Sequence, residues 1–248
     1  MLRAVRSLVS LACYAAFFAT FLYLIAFTDD FNLPFVPATV SRGPAAPLGL
    51  ALAVDIALIA LFGLQHSVMA RPNFKAQWTR IIPASLERSV YVLMSSLALI
   101  LLFAFWRPVG GTIWSVSGLI GSMLLVAGFL GWAVVLISTF LLNHFELFGL
   151  AQAWRDPAKP QSASVMRTPL LYRWVRHPIY LGFLMALWLT PEMTASRILL
   201  AFGMTIYVLI GVAHEERDLI TTFGDDYIRY KAKVGMLLPR FTGRAETP

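Results

Sequence analysis

The chain alternates long apolar runs with short polar ones. Apolar residues fill about 8–27, 47–69, 89–106 and 114–142, and two shorter arms fill 178–190 and 197–213. A helix needs roughly 20 residues to cross the hydrocarbon core of a bilayer, so the first four runs read as spanning helices. The arm 178–190 is short for a full crossing. With Pro191, Glu192 and Arg197 at its turn it pairs with 197–213 as a helical hairpin. The polar stretches between them carry Asp29, Asp30 and several prolines, then Arg71, Lys75, Arg80 and Arg88, then the tight turn Arg107-Pro108-Val109-Gly110-Gly111. A long polar segment, 143–177, is expected to hold a short amphipathic helix at the membrane interface, and the tail from 214 is expected to be helical to about 234. Gly118, Gly121, Gly128 and Gly131 along the fourth run point to close helix contact. No Gly-x-Gly-x-x-Gly follows a strand, so a dinucleotide fold is unsupported. The fold class expected is all-α: a polytopic integral membrane bundle of five to six apolar segments, the last two a hairpin, followed by a cytoplasmic C-terminal helix. One domain is expected over 1–248, with membrane helices and an interfacial segment in 1–170 and a site-forming hairpin and tail in 171–240.

Composition agrees. Apolar residues make up 58% of the chain and charged ones 13%, against about 25% charged in soluble domains. The net charge of +7 would fit nucleic acid, but the basic residues lie between apolar runs and form no stripe with interleaved aromatics. They read instead as topology signals. With the N-terminus inside, only Arg42, Arg107 and Arg197 of the twenty lysines and arginines fall outside, which puts both termini in the cytoplasm. Arg3 and Arg6 before an apolar run resemble a signal peptide, but no small-x-small cleavage site ends the run, so it is read as a retained helix. Cys13 is the sole cysteine, which excludes an internal disulfide and any multi-cysteine metal site.

All four histidines, His66, His144, His177 and His214, fall at the cytoplasmic ends of apolar segments. Ionisable residues at membrane depth mark functional cavities more often than packing. Gln65, Asn143, Glu146, Glu215 and Glu216 share that level, which implies a polar cavity facing the cytoplasm. In Arg176-His177-Pro178-Ile179-Tyr180, Pro178 suits the first turn of a helix, and Tyr180 lies one turn on from His177. A plain basic flank with an aromatic belt residue would look the same. Glu215-Glu216 suits a ribose diol or an ammonium, and equally a solvated interfacial patch.

Three ordered motifs, Arg176-His177-Pro178-x-Tyr180-x-Gly182, Glu215-Glu216-x-x-Leu219 and Phe223-Gly224-x-x-Tyr227-x-x-Tyr230-x-x-x-Val234 with Pro239, resemble the isoprenylcysteine carboxyl methyltransferase superfamily of membrane enzymes. Gly63-Leu64-Gln65-His66-Ser67 and Asn143-His144-Phe145-Glu146-Leu147-Phe148-Gly149-Leu150 resemble most the bacterial methanethiol S-methyltransferases, with parts shared by the NnrU-like membrane proteins. The resemblance implies S-adenosylmethionine as cofactor, a small thiol as substrate, membrane lipid as surroundings and a bacterial inner membrane as location. It implies that Arg176, His177, Tyr180, Gly182, His214, Glu215, Glu216 and Tyr227 hold the cofactor, with no metal. Tyr227 and Tyr230 would close over the adenosine, or simply pack an amphipathic helix onto the surface. A thiol must lose its proton to attack. His66, His144 and His214 are candidate bases, with Glu146 as orienter and Gln65, Asn143 and Tyr207 as wall groups; His66 and His144 lead. Two alternatives stay open. One is methylation of a lipid or prenylated-cysteine carboxylate. The other is a binding protein whose histidines ligate haem or a metal ion.

Overall fold

A computed structural model describes residues 2–155 and 166–240. Within them, five helices are long and apolar enough to cross a membrane. These are α1 (Leu2–Thr28), α2 (Leu48–Ala70), α4 (Glu87–Phe105), α5 (Gly118–Leu142) and α9 (Ala195–Phe223). Shorter pieces complete the chain: α3 (Pro72–Trp78), α6 (His144–Leu147), α7 (Leu150–Trp154), α8 (Pro178–Trp188) and α10 (Asp225–Lys233), with strands β1 (Thr112–Ser115) and β2 (Glu192–Thr194). The expected spans are met to within a few residues, and the protein is a polytopic all-α membrane bundle. Residues 156–165 of the expected interfacial segment lie outside the described residues, as do Lys159 and Arg244 of the charge pattern; the rest of that segment forms α6, α7 and a single 3-10 turn at Leu170–Arg173.

The helices pack as an arc. α1 lies on α4, α4 on α2, α2 on α9, α9 on α8, and α8 on α5. The tightest seam, α5 on α8, is made by glycine. A Cβ on Gly131 would stand 2.6 Å from the Gly182 carbonyl, and one on Gly182 would stand 2.6 Å from the Gly131 carbonyl. Only an absent side chain lets these backbones approach so closely. The ends of the arc, α1 and α5, meet through aromatic side chains. Phe21 sets its edge on Trp132 at 5.7 Å, and Trp132 Nε1–H donates to Asp29 at 2.9 Å.

The hairpin's first arm is part helix and part extended chain. α8 has 11 residues, only about 16 Å of helix, and non-helical chain from Leu189 to Thr194 leads on to α9. The chain from Leu189 ends in β2, which pairs antiparallel with β1 between the end of α4 and the start of α5. The ribbon was not anticipated, and it moves the start of the fourth span from 114 to Gly118. α9 also departs from expectation: it runs 29 residues without a break, about 43 Å. The polar residues from 214 therefore continue the same helix beyond the bilayer instead of starting a separate tail. Gly224, at φ +55, ends it and turns the chain into α10.

The end of the bundle away from the histidines is closed by charge. The buried Arg197 guanidinium pairs with Asp29 at 3.0 Å and donates to the carbonyls of Thr28 and Ala186. Buried Asp55 accepts from the Arg107 backbone N–H at 2.8 Å. Beneath this end lies the main hydrophobic cluster, centred on Phe27, Leu102, Trp106, Leu187 and Leu200.

Candidate active site

A cavity of about 520 Å³ occupies the inside of the arc and opens at the histidine end. Its mouth is polar, lined by Arg71, Lys75, Arg88, Tyr172, Glu215 and Asp218. An ion pair from Arg71 to Asp218, at 3.2 Å, straddles the opening between the end of α2 and the extension of α9. His66, His144 and His177 all line the cavity. Three of the four histidines expected at this depth thus share one cavity, polar at its mouth and largely apolar within. The structure does not bring His214 there: it is exposed, and its Nδ1–H donates to the Ile210 carbonyl at 2.8 Å on its own helix.

The two leading histidines differ in what their nitrogens do. Thr139 donates its hydroxyl to the Leu136 carbonyl at 2.7 Å and so accepts from His144 Nδ1–H at 2.8 Å. His144 Nε2 must then accept, and it takes the Tyr14 hydroxyl at 2.8 Å. The network assigns the tautomer. The ring is also stacked on Phe140 at 4.2 Å and enclosed by Phe148, and burial holds its pKa below the ordinary imidazole value. His144 is thus a neutral ring with both nitrogens occupied.

His66 is arranged otherwise. Ser95 donates to the Tyr91 carbonyl at 2.9 Å, so it accepts from His66 Nδ1–H at 3.1 Å. His66 Nε2 is left as a lone pair with no protein partner among the described residues, on a ring that lines the cavity. Phe62, Tyr91 and Tyr207 enclose that ring, with centroids 5.5, 5.0 and 6.1 Å away. A Cβ on Gly63 would meet the Tyr207 ring at 3.1 Å, so glycine there lets Tyr207 lie against α2. Arg88 Nε donates to the Leu147 carbonyl at 2.7 Å, and its guanidinium sits 5.1 Å over Tyr91.

The hairpin brings Arg176, His177, Tyr180, Glu215 and Glu216 together, but the two carboxylates part company. Successive residues of one helix point about 100° apart. Glu215 faces the cavity and accepts from the Tyr180 hydroxyl at 2.9 Å, with His177 Nδ1 at 3.8 Å. Glu216 faces away and is fully engaged. Its Oε1 takes Arg176 Nε and Nη2, both at 2.7 Å, and His177 Nε2 at 3.1 Å; its Oε2 takes Lys231 at 2.7 Å. Arg176 also donates to the carbonyls of Lys231 and Val234, and the His177 N–H donates to the Met236 carbonyl at 3.2 Å. This buried cluster clamps the end of α10 and the segment after it onto the start of α8 and the extension of α9.

The remaining expected residues have local partners. Asn143, at φ 107, caps α6: its side chain accepts from the Glu146 N–H and donates to the Glu146 carboxylate at 2.9 Å. Glu146 also pairs with Arg155 at 3.5 Å. Neither lines the cavity, and neither does Gln65, whose amide lies on Met69 Sδ at 3.0 Å. Gly182 serves the α5–α8 seam. Tyr227 is buried and packs on Tyr230 at 5.8 Å. The Tyr230 hydroxyl donates to the Tyr172 carbonyl at 2.5 Å, which docks α10 on the chain before Arg176. Burial pushes the Tyr230 phenol up to about 12 and raises Tyr172 as well. Ser95, Tyr91, Arg88 and Tyr172 were not anticipated. The Ser95-Ser96 pair inside an apolar run was the available signal. No group of three or more histidine, cysteine or acidic residues that could hold a metal ion occurs among the described residues.

Comparison with known proteins follows the same lines. The family described as "Protein of unknown function (DUF1295)" matches residues 72–234. Over 232 residues the chain is 50% identical to the methanethiol S-methyltransferase of Mycobacterium tuberculosis, covering 92% of this chain and 93% of that protein. Over 207 residues it is 52% identical to that of Pseudomonas deceptionensis, covering 82% and 79%. Nurim of Xenopus laevis is more distant, 30% identical over 229 residues, covering 82% and 78%. No solved structure matches the chain.

Proposed function

The chain belongs to the methanethiol S-methyltransferase family, and we propose that it methylates methanethiol to dimethyl sulfide in the cavity described above. S-Adenosylmethionine is the methyl donor and His66 the base. The observation that carries the assignment of roles is His66 Nε2, which has no partner among the described residues, on a ring fixed at the cavity wall by the Nδ1–H bond to Ser95. A cysteine thiol ionises near pH 8.5, and an alkyl thiol higher. A neutral imidazole with an open lone pair is the group suited to take that proton.

The residues present fit the donor. A cavity of about 520 Å³ is within the range of small-molecule sites. At its mouth Glu215 and Asp218 suit an ammonium or a ribose diol, and Arg71, Lys75 and Arg88 suit a carboxylate. Bound there, S-adenosylmethionine supplies an electrophilic methyl group on a sulfonium. His66 Nε2 takes the thiol proton while Nδ1–H stays on Ser95, and Phe62, Tyr91 and Tyr207 keep water from the reacting sulfur. Thiolate and sulfonium neutralise each other's charge in the reaction, so a dry surrounding favours it. His144 stiffens the wall, and the Glu216 cluster holds the mouth in shape. The bacterial relatives support an inner membrane, and the positive-inside pattern supports both termini in the cytoplasm with the mouth on that side.

The test is calorimetric titration of the detergent-purified protein with S-adenosylmethionine, followed by headspace gas chromatography after methanethiol is added. Saturable binding and release of dimethyl sulfide are expected. Absence of both would overturn the proposal.

A further inference from the structure

Methanethiol carries one carbon beyond its sulfur, yet the cavity does not end at His66. We infer that the same site also methylates longer alkanethiols, holding their chains in an apolar tail of the cavity. This inference rests on the methyl-transfer reading above.

The tail runs from the His66 ring towards the far end of the bundle. Its walls are Leu24 on α1, Leu99 on α4, Phe183 on α8 and Met204 on α9, all partly open to the space they line. Its floor is the buried trio Leu102, Leu187 and Leu200, which belong to the main hydrophobic cluster. Helical rise gives its length. Seven residues separate Ser95 from Leu102 on α4, and seven separate Tyr207 from Leu200 on α9. Each interval is about 10 Å.

Nothing in the tail calls for a polar occupant. The hydroxyls that line this part of the cavity are turned back onto their own helices. Ser96 donates to the Val92 carbonyl at 2.9 Å, Thr20 to Ala16 at 2.7 Å and Thr28 to Leu24 at 2.9 Å. A space whose polar groups are already satisfied and whose walls are leucine, phenylalanine and methionine offers water no partners. Its natural occupant is a hydrocarbon chain. With carbon–carbon bonds of about 1.5 Å, an extended chain advances about 1.3 Å per methylene, so the tail takes roughly six to eight carbons.

The chemistry is unchanged by chain length. The S–H bond of the alkanethiol breaks and its proton passes to His66 Nε2. A bond forms between that sulfur and the methyl carbon as the methyl–sulfonium bond of S-adenosylmethionine breaks. The donor leaves as the neutral thioether, and the products are an alkyl methyl sulfide and one proton. His66 stands where sulfur must lie in each case, with the chain rising past Leu99 and Met204.

The experiment is a chain-length series with the full-length purified enzyme and S-adenosylmethionine. Methanethiol, butanethiol, hexanethiol and decanethiol are supplied in parallel, and the methyl sulfides are quantified by gas chromatography. Butanethiol and hexanethiol should reach kcat/KM within about tenfold of methanethiol, and decanethiol, too long for the floor, should fall about a hundredfold below hexanethiol. In Met204→Trp, whose indole would fill the tail, the ratio of hexanethiol to methanethiol kcat/KM should drop at least about tenfold. Conversion of methanethiol with butanethiol and hexanethiol about a hundredfold slower or worse would overturn the tail while leaving the methyltransferase reading intact. An unchanged ratio in Met204→Trp would overturn it too. Conversion of none of the four thiols would bring down the methyl-transfer reading itself.

Discussion

Glu216 is the residue whose loss should most clearly separate architecture from chemistry. Its carboxylate is buried, with side-chain exposure of 8%, and it faces an Arg176 side chain exposed by only 5%. Removing the carboxylate in Glu216→Ala leaves the Arg176 guanidinium inside the protein without its counter-charge. Breaking a buried pair from one side costs about 3–5 kcal/mol. The Lys231 arm is different, because that side chain is 44% exposed and solvent screens it to about 1 kcal/mol or less. The penalty should fall on the clamp, not on the spans. Arg176 and His177 hold Lys231, Val234 and Met236 by their carbonyls, so the segment 225–240 should open locally while the bundle stays folded. At about 1.4 kcal/mol per decade, opening becomes more frequent by at least about two orders of magnitude. Amide hydrogen exchange over 225–240 measures this directly. Lys231→Ala should move the same amides about fivefold or less. The paired change Arg176→Met with Glu216→Leu, which removes both charges, should recover part of the protection, the rest being lost with the Arg176 bonds to the Lys231 and Val234 carbonyls. Unchanged exchange in Glu216→Ala, or equal damage from Lys231→Ala, would refute the reasoning.

Other perturbations probe other parts. Ser95→Ala removes the acceptor that fixes the His66 tautomer, a bond of about 1 kcal/mol; turnover should fall about three- to tenfold with S-adenosylmethionine affinity unchanged, and Ser95→Thr should restore it. Gly131→Ala drives a Cβ to 2.6 Å from the Gly182 carbonyl and the Ala186 nitrogen; the seam must part, lowering stability by about 1–3 kcal/mol in a detergent thermal-unfolding assay. Alkali should release α10 before it disturbs the spans. The Tyr230 phenol, held up to about 12, keeps its proton and its bond to Tyr172 in the folded state, whereas an unfolded tyrosine loses its proton near pH 10. The stabilisation is therefore complete below about pH 10 and is lost as pH rises towards 12, seen as exchange or proteolysis at 225–240.

Much of the architecture was legible because spanning helices announce themselves by length and hydropathy. The hairpin was legible because His177 and Glu215 stand at its two ends, and the glycines of α5 did mark a helix contact. Which face of each helix meets the cavity was not legible. A helix apolar all round has no moment to read, so α2 and α5 showed where they cross and not how they are turned. Glu215 and Glu216 read as one site because they are adjacent in sequence and chemically alike. On a helix neighbouring residues cannot share a direction, and only Glu215 faces the cavity. Asn143 and Glu146 looked chemical because cap residues and site residues draw on the same polar types. His214 sat at the right level on the wrong side of α9. The β1–β2 ribbon escaped notice because two strands of four and three residues are too short to set up an alternation.

The central claim is that His66, not His144, takes the proton. The most direct measurement is turnover of methanethiol by His66→Ala and His144→Phe, assayed beside calorimetric S-adenosylmethionine affinity for each. His66→Ala should lose about 10²–10⁴ in turnover with affinity nearly intact. His144→Phe, which keeps the stack on Phe140 and gives up only wall bonds, should lose stability while its folded fraction keeps most of its turnover. A His66→Ala enzyme that still releases dimethyl sulfide at the parent rate, or a folded His144→Phe enzyme that binds the donor and releases none, would contradict it.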